Sequence, residues 1–255
     1  MHYVCSDIHG QYDLYKRLLE KLALQDEDTL YIIGDVIDRG PDSVSILRDI
    51  MARKNVELFL GNHELMMLDH YAGSGMPESW ERPNNGGTAT LLQLEDLPEY
   101  RRDAILAFTE NSWLQKYVCI DGTEYALHHS YWLPAFEGKD VRYSDIGRSG
   151  WQEIFDAVWY SPYRLFEYVS PGLYQDGYIH IIGHVPVQMI PPDVREEDTV
   201  LPPYTDADGH IINIDGGCAL ISRGGAGCLY CMSLEKDGEG RRREYWISPD
   251  GDRCT

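Results

Sequence analysis

Gly34-Asp35-Val36-Ile37-Asp38-Arg39-Gly40 is the second of three polar motifs that each directly follow a short apolar run near the start of the chain. Ser6-Asp7-Ile8-His9-Gly10 precedes it, and Gly61-Asn62-His63-Glu64 follows it. The apolar runs predict strands at residues 2–5, 29–33 and 56–60, and apolar residues at helical spacing predict helices at 12–24 and 43–53. Strands that alternate with helices of this length predict a β-α-β-α-β unit with a parallel sheet.

The three motifs place polar side chains at one edge of this sheet. Right-handed crossovers bring the carboxyl ends of parallel strands together, and open α/β sheets build their sites there. The side chains expected at that edge are Asp7, His9, Asp35, Asp38, Asn62 and His63. Oxygen and imidazole ligands without thiolates suit divalent cations such as Mn²⁺, Fe²⁺ or Zn²⁺. Such an edge can hold two ions about 3.5–4 Å apart with a shared carboxylate, and Asp35, after the central strand, is the expected bridge.

The remainder of the chain predicts further helices and strands without a domain boundary. Helical patterns occur at residues 64–71, 88–94, 99–116 and 151–159, and a hairpin is expected at 117–127. Five sequential runs predict largely antiparallel strands at 178–182, 211–214, 219–222, 228–234 and 245–247. The proline-rich stretch 186–203 predicts an exposed loop. We therefore expect a single domain over residues 1–255, with helical and loop insertions around 71–116 and 130–177.

The composition narrows the class of partner. The chain has 255 residues and a formal net charge of −20. This charge argues against nucleic acid, which proteins bind through cationic residues that neutralise phosphates. No apolar run approaches the roughly 20 residues that a membrane-spanning helix needs, and the first residues lack the pattern of a secretory signal. We therefore expect a cytoplasmic protein with no membrane or nucleic-acid partner, and the sequence leaves its oligomeric state open.

The three motifs resemble the leading motifs of the phosphoprotein phosphatase family of metallophosphoesterases. That family covers metal-dependent serine/threonine phosphatases and symmetrical diadenosine tetraphosphate hydrolases. The resemblance continues over nearly the whole chain, through Asn85-Gly86-Gly87-Thr88, Leu127-His128, Gly183-His184 and Ile214-Asp215-Gly216-Gly217-Cys218. It implies an α/β fold, namely a two-sheet β-sandwich flanked by helices, with the β-α-β-α-β unit as its N-terminal half.

The resemblance also implies roles for individual residues. One metal is expected on Asp7, His9 and Asp35, and the other on Asp35, Asn62, His128 and His184. The two divalent ions are expected to be Mn²⁺, with Fe or Zn as alternatives. His63 is the expected general acid, with Asp38 to hold its imidazole, and Arg39 and Asn62 are expected to bind the substrate phosphate. We interpret Glu64 as a structural acid at a helix start.

Three departures from the family pattern leave details open. His128 is followed by His129, so the ligand assignment of the two histidines can be exchanged. Gly183-His184-Val185 lacks the threonine that family members usually have after the histidine. The family's second phosphate-binding arginine is expected near Ser161, which makes Arg164 the candidate for that role and Arg148 a poorer one.

The resemblance implies a phosphoester hydrolase that uses a metal-activated water. Its expected substrate is phosphoserine or phosphothreonine in proteins, or a small phosphoester. A first alternative is a dinucleoside polyphosphate hydrolase of the diadenosine tetraphosphate type, which would use the same metals. A more distant alternative is an inactive module that binds phosphopeptides. The net charge of −20 does not argue against phosphate, because two divalent ions and Arg39 make the local field positive.

Overall fold

The chain folds into two mixed six-stranded sheets with helices around them, as a computed structural model shows for residues 1–73, 77–163, 170–174, 176–190 and 199–255. The first sheet has the order β12-β11-β10-β1-β2-β3, with strands β1 His2–Cys5, β2 Thr29–Ile32, β3 Val56–Leu58, β10 Leu229–Lys236, β11 Arg242–Ser248 and β12 Gly251–Cys254. The second has the order β6-β4-β5-β7-β9-β8, with strands β4 Trp113–Ile120, β5 Thr123–His128, β6 Val141–Arg142, β7 Ile179–Ile182, β8 Tyr204–Thr205 and β9 Ile211–Asn213. The predicted two-sheet α/β architecture is confirmed.

Helices occupy the connections between the strands. The described helices are α1 Tyr12–Leu22, α2 Ser43–Ala52, α3 Asn62–Ala72, α4 Pro77–Trp80, α5 Gly87–Glu95, α6 Glu99–Thr109, α7 Tyr143–Ile146, α8 Trp151–Trp159 and α9 Cys218–Ile221. Within the described ranges, no helix combines the length and the apolar character that crossing a bilayer requires.

The predicted β-α-β-α-β unit is present at the start of the chain. Strands β1, β2 and β3 pair in parallel, with β2 between the other two. Helix α1 forms because Leu14, Tyr15, Leu18 and Leu22 recur at helical spacing and are buried on one face. Helix α2 begins at Asp42, whose side chain accepts a hydrogen bond from the backbone N–H of Ser45 at 3.0 Å. The unit therefore delivers the three polar motifs to a common sheet edge.

Alternation along the strands divides the core into two layers. Val4 and Tyr31 face the second sheet and pack with Tyr125, Leu127 and Ile181 between the sheets. Their neighbours along the same strands, Tyr3, Cys5, Leu30 and Ile32, point to the opposite face of the sheet. There they pack with residues of α1 and α2 in the other layer. Successive side chains of a strand point to opposite faces, so this division follows directly from the strand geometry.

Several predicted elements differ from the structure. Strand β7 pairs in parallel with both β5 and β9, whereas we expected antiparallel strands. The long connections at 129–178 and 183–210 allow this, because parallel neighbours need a crossover of a dozen or more residues. Strands β10, β11 and β12 are antiparallel, as expected for the end of the chain.

Two further differences concern local sequence. The predicted strand at 219–222 is the helical turn α9, which follows Gly217 in a left-handed conformation with φ of 83°. The predicted helix at 99–116 ends at Thr109, and Trp113 already begins β4. Asn111 and Ser112 separate the two elements, since such residues favour turns over helix interiors. Part of the loop predicted to be exposed at 186–203 is in fact buried, including Val187 and Ile190.

Candidate metal centre

The polar residues of the three motifs converge at the carboxyl edge of the first sheet. Asp7 and His9 follow β1, Asp35 follows β2, and Asn62 and His63 open α3. Residues from the second sheet close the site, because His129 follows β5 and His184 follows β7. Nearly all of these side chains are buried, Asp35 being 2 % exposed and His63 0 %. Carboxylate or amide oxygens and imidazole nitrogens, two kinds of metal ligand, are thus held together out of contact with water.

Two groups of potential ligand atoms share one carboxylate. His9, Asp35 and His63 form one group, and Asp35, His129 and His184 form the other, with all ligand atoms of a group within 4.8 Å of one another. The Nε2 atom of His9 lies 3.7 Å from Oδ2 of Asp35, while Nε2 of His129 lies 3.6 Å from Oδ1. Asp35 therefore presents one oxygen to each group, which is the arrangement expected of a bridging ligand.

Backbone carbonyls orient two of the imidazoles. The Nδ1 atom of His9 lies 3.1 Å from the carbonyl oxygen of Ile37, and Nδ1 of His129 lies 2.8 Å from that of Ile33. A carbonyl oxygen only accepts, so each Nδ1 carries the proton and each Nε2 keeps its lone pair. The lone pair of His9 accepts a hydrogen bond from Nη1 of Arg39 at 2.6 Å. Glycine at position 34 makes room for the ring of His129, because a Cβ there would lie 2.5 Å from its Nδ1 atom.

The histidine that lies at the centre after β5 is His129 rather than His128, which the motifs predicted. The ring of His128 lies on the opposite face of the sheet, with Nε2 2.9 Å from Nδ1 of His180, and stacks near Tyr174. Alternation along β5 explains this, because Tyr125 and Leu127 face the space between the sheets and His128 therefore faces away. The same alternation, read from the sequence, would have identified His129.

Asn62 and His184 complete the second group. The amide oxygen of Asn62 lies 3.2 Å from Nε2 of His129 and 3.0 Å from Nδ1 of His184. The backbone N–H of His184 donates to Oδ2 of Asp7 at 3.0 Å, so the loop after β7 is tied to the first motif. The structure thus brings Asn62 and His184 together beside His129 and Asp35.

Buried carboxylates crowd the first group. Asp7 accepts from the Oγ–H of Ser6, and its pKa is raised well above the usual range by burial and by the nearby charges of Asp215 and Asp35. Burial likewise raises the pKa of Asp215 to about 7, although its Oδ1 accepts from the backbone N–H of Gly217 at 2.9 Å. Several buried acids with so few cations favour a bound metal. The donor set therefore fits divalent ions. Asp215, which sequence reasoning quoted without a role, belongs to this cluster.

His63 and Asp38 form a buried pair beside the first group. The Nδ1 atom of His63 lies 2.7 Å from Oδ2 of Asp38. Asp38 also accepts from Nε1 of Trp80 at 2.7 Å and from Oγ1 of Thr90 at 2.6 Å. Nε2 of His63 is buried, has no hydrogen-bond partner among the described residues, and lies 3.9 Å from Oδ2 of Asp35. Nε2 of His63 thus faces the two groups of ligand atoms, where a substrate would contact it.

The protonation of this pair is set by burial. Burial, followed by the charge of Arg39, lowers the pKa of His63 to about 3, and burial raises the pKa of Asp38 to about 7. Trp80 and Thr90, which hold Asp38, were not predicted as site residues. They come from separate helices, and only the tertiary fold brings them to the second motif.

The structure places Arg39 at the centre and leaves the second predicted arginine outside the described residues. Nη1 of Arg39 lies 2.6 Å from Nε2 of His9. Gly86 lies against the Arg39 backbone, where a Cβ would come within 2.9 Å of its nitrogen. Arg164 falls in the part of the chain that the structure does not describe. Ser161 is buried, and Arg148 is exposed with Nη2 3.9 Å from Oε1 of Glu110.

Glu64 holds the second motif in place. Its Oε2 accepts from the backbone N–H of Asp35 at 2.8 Å and of Gly61 at 2.9 Å. Its Oε1 accepts from Val36 at 2.9 Å and from Ile37 at 3.3 Å. Burial and the charge of Asp35 raise the pKa of Glu64 to about 8. Glu64 thus satisfies three backbone donors of the loop that presents Asp35 and one donor of the third motif, as expected of a structural acid at a helix start.

The backbone at the centre is strained. Six residues other than glycine have positive φ, between 47° and 71°: Asp7, His9, Asp35, Asp38, Arg39 and His184. Residues with a Cβ rarely adopt this left-handed region, and each costs roughly 1 kcal/mol or more. Such strain persists where the surrounding contacts determine the backbone, as the hydrogen bonds of Glu64 do here.

Comparison with known proteins places the chain among phosphoesterases. Residues 3–211 match the family described as calcineurin-like phosphoesterase. The chain is 39% identical over 99 residues to the symmetrical bis(5'-nucleosyl)-tetraphosphatase of Erwinia tasmaniensis, which covers 38% of this chain and 34% of the relative. The corresponding protein of Delftia acidovorans is 33% identical over 142 residues, which covers 54% of this chain and 47% of the relative. The matched part of the chain thus spans about a third to a half of the length of these curated relatives.

Solved structures share the fold at low sequence identity. A putative diadenosine tetraphosphatase superimposes with a TM-score of 0.54 and 14% identity, over 96% of this chain and 92% of that one. A serine/threonine protein phosphatase from Saccharomyces cerevisiae superimposes with a TM-score of 0.58 and 16% identity, over 99% of this chain and 78% of that one. At such identity these superpositions establish the fold alone.

Proposed function

The chain belongs to the calcineurin-like phosphoesterase family, and from this we propose that it hydrolyses phosphoric esters at a dinuclear metal centre. The observation that carries the proposal is the position of Asp35, which offers one carboxylate oxygen to each of two groups of ligand atoms. A centre with a shared carboxylate is the arrangement that two-metal phosphoesterases use.

We assign the ligands by combining the motifs with the geometry. Following the motifs, Asp7 would join His9 and Asp35 on one ion, and His63, which the geometry also places in the first group, would face the substrate. Asp35, Asn62, His129 and His184 would hold the other ion. Mn²⁺ is our first candidate, with Fe and Zn as alternatives, because all of these ligands are oxygen or imidazole nitrogen. When bound, the two ions supply Lewis acidity that polarises phosphoryl oxygens and activates water.

The remaining residues act on the substrate and its leaving group. Nε2 of His63 faces the centre and would donate a proton to the leaving oxygen, while Asp38 holds the ring through Nδ1. Because the pKa of Asp38 is raised to about 7, its carboxyl group would pass a proton to Nδ1 as Nε2 loses one, so the ring stays neutral. The guanidinium of Arg39 presents a planar fork of donors suited to two phosphoryl oxygens. Arg164 stays a proposed second clamp, supported only by its position in the sequence.

Two substrate classes fit this chemistry. The motifs led us to phosphoserine and phosphothreonine in proteins, with small phosphoesters as simpler substrates. The names of the curated relatives favour the other class, dinucleoside tetraphosphates. Both classes present a phosphoryl group to the same ions and the same acid, so the choice between them rests on groups that surround the centre.

A competition assay tests the proposal. The protein loaded with Mn²⁺ should hydrolyse an aryl phosphate, and a chelator should abolish the turnover. Phosphopeptides and diadenosine tetraphosphate are then added as competitors, and the better competitor identifies the substrate class. Asp35→Asn is the matched negative control, since it removes a shared charge without changing the size of the side chain. Absence of turnover with every divalent metal would overturn the proposal and leave the phosphopeptide-binding module.

A further inference from the structure

A cavity of about 240 Å³ opens beside the metal centre. Arg39 and His184 form the wall next to the centre, and Asn84, Asn85, Leu220 and Arg223 contribute to the outer walls. Two guanidinium groups thus border one space, and none of its described lining residues is an aspartate or a glutamate. In a chain with a net charge of −20, a cavity lined by two arginines beside a centre whose acids the metals would neutralise marks a place for an anion.

Arg223 is held at the rim of this cavity by its neighbours. Its Nη2 donates to the backbone carbonyl of Asn84 at 2.9 Å, and its backbone N–H donates to the carbonyl of Leu220. The preceding residue, Ser222, accepts from Nε2 of Gln11 at 3.1 Å, which ties the turn to the start of α1. The carbonyl of Asn84 takes one of the five donors that a guanidinium carries. Arg223 is therefore positioned to offer further donors to a ligand.

Arg39 faces the same space from the inner side. Its Nε atom is buried and has no hydrogen-bond partner among the described residues. Arg223 lines the same cavity, so two cationic side chains border one space. An anion between them would accept hydrogen bonds from both guanidinium groups and would give the buried Nε a partner.

We propose that this Arg39–Arg223 cavity binds a second phosphate of the substrate, joined through a bridging oxygen to the phosphate at the metal centre. Arg223 then determines specificity, because it favours substrates with linked phosphates over phosphomonoesters. The proposal rests on the proposed function and deepens it. The apolar wall formed by Pro186, Met189 and Leu220 suits the uncharged part of a nucleotide that continues beyond the second phosphate.

The balance of the reaction agrees with a cationic cavity. Water supplies the new oxygen on the attacked phosphorus, and the bond from that phosphorus to the bridging oxygen breaks. The electron pair leaves with the bridging oxygen, so the second phosphate departs with additional negative charge. Arg223 and Arg39 would stabilise that charge where it develops, which is the role that fixed cations play at transferring phosphoryl groups.

The test compares two substrates in the Mn²⁺-loaded full chain. The wild type should hydrolyse diadenosine tetraphosphate and p-nitrophenyl phosphate, and Arg223→Ala should lower kcat/KM for the tetraphosphate about 10-fold more than for the monoester, mainly through KM. Arg223→Lys should recover part of this loss. Arg241→Ala is the control, because it removes the same charge from an exposed turn, and it should leave the ratio of the two kcat/KM values unchanged.

The possible failures are distinct. If the wild type hydrolyses neither substrate, the proposed function itself is wrong. If it hydrolyses the monoester but not the tetraphosphate, or if Arg223→Ala lowers both kcat/KM values equally, the second-phosphate site is wrong while the proposed function stands. A third outcome would also overturn the second-phosphate site. If Arg223→Ala lowers kcat/KM only for phosphopeptides with an acidic residue next to the phosphorylated one, and not for the tetraphosphate, the cavity binds an acidic side chain.

Discussion

Nε2 of His129 lies 3.2 Å from the amide oxygen of Asn62, and this contact joins the end of the second sheet to the third motif. The adjacent His128 contacts His180 on the other face of the sheet instead. One register position thus decides which histidine can reach the proposed second metal.

Replacing each of these two histidines by alanine, one at a time, tests which of them binds the second metal. His129→Ala should weaken binding of the second Mn²⁺ by at least about 10-fold, because even the loss of a residue that only hydrogen-bonds a metal ligand costs that much. His128→Ala should still bind two equivalents, but unfold more readily by about 1–3 kcal/mol, since His180 loses a buried partner. Titration calorimetry measures the stoichiometry and thermal denaturation the stability. Two equivalents in His129→Ala and one in His128→Ala would restore the original assignment.

His63 should matter most when the leaving group is a poor one. His63→Ala should lower kcat by about 10²–10⁴-fold for an alkyl phosphate, which needs a proton on its leaving oxygen. The loss for p-nitrophenyl phosphate should be much smaller, because nitrophenolate leaves without a proton. Asp38→Asn should also lower kcat for both esters, by a smaller factor than His63→Ala does. Equal losses for the two esters would remove His63 from the role of general acid.

Glu64 should act through the backbone that it holds. Glu64→Gln replaces one acceptor oxygen with an amide group that would face N–H donors, so stability should fall by about 1–3 kcal/mol. Mn²⁺ affinity should fall as well, because Asp35 loses its fixed backbone. Denaturant unfolding and calorimetry measure the two effects, with exposed Glu95→Gln as the control. Wild-type stability and metal affinity in Glu64→Gln would contradict this account.

The buried acids should make the metal-free protein sensitive to pH. The pKa values of Asp7, Asp38 and Asp215 are raised, to about 7 in the last two, and that of Glu64 is raised to about 8. Buried histidines with a lowered pKa, such as His9 and His63, offset these protons at lower pH, because they are charged only in the unfolded state. Above about pH 6.5 a histidine is neutral in both states, so the folded state binds more protons than the unfolded state between about pH 6.5 and pH 8. Stability in the presence of a chelator should therefore fall as the pH rises through that window. The raised values favour the unfolded, ionised state at higher pH.

Asp215→Asn provides the matched variant for this effect. It removes the charge but keeps an amide oxygen that can accept from Gly217. The Tm of the chelated variant should fall less between about pH 6.5 and pH 8 than that of the wild type, each unit of pKa being worth about 1.4 kcal/mol. Added Mn²⁺ should flatten the wild-type curve. An unchanged slope in Asp215→Asn would exclude its carboxylate as a source of the effect.

The sequence predicted the structure correctly where the arrangement follows from local patterns of apolar and polar residues. Strand and helix periodicity predicted β1 to β3 with their two helices, and parallel pairing then placed Asp35 between the other motifs. The second sheet was predicted less well, because pairing of strands far apart in the sequence depends on long connections rather than on local pattern. Trp80 and Thr90 on Asp38 were missed for the same reason. His129 was accessible from alternation along β5, and the family pattern pointed to its neighbour instead.

The left-handed backbone at the centre has a consequence for how such a chain would change over generations. Six positions with functional side chains, among them Asp7, His9 and Asp35, adopt a conformation that glycine or asparagine would occupy more easily. A lineage released from selection for catalysis would gain stability by drifting at these positions first. This chain has a residue with a Cβ at all six, which is the pattern expected where the proposed site, rather than backbone stability, decides the residue.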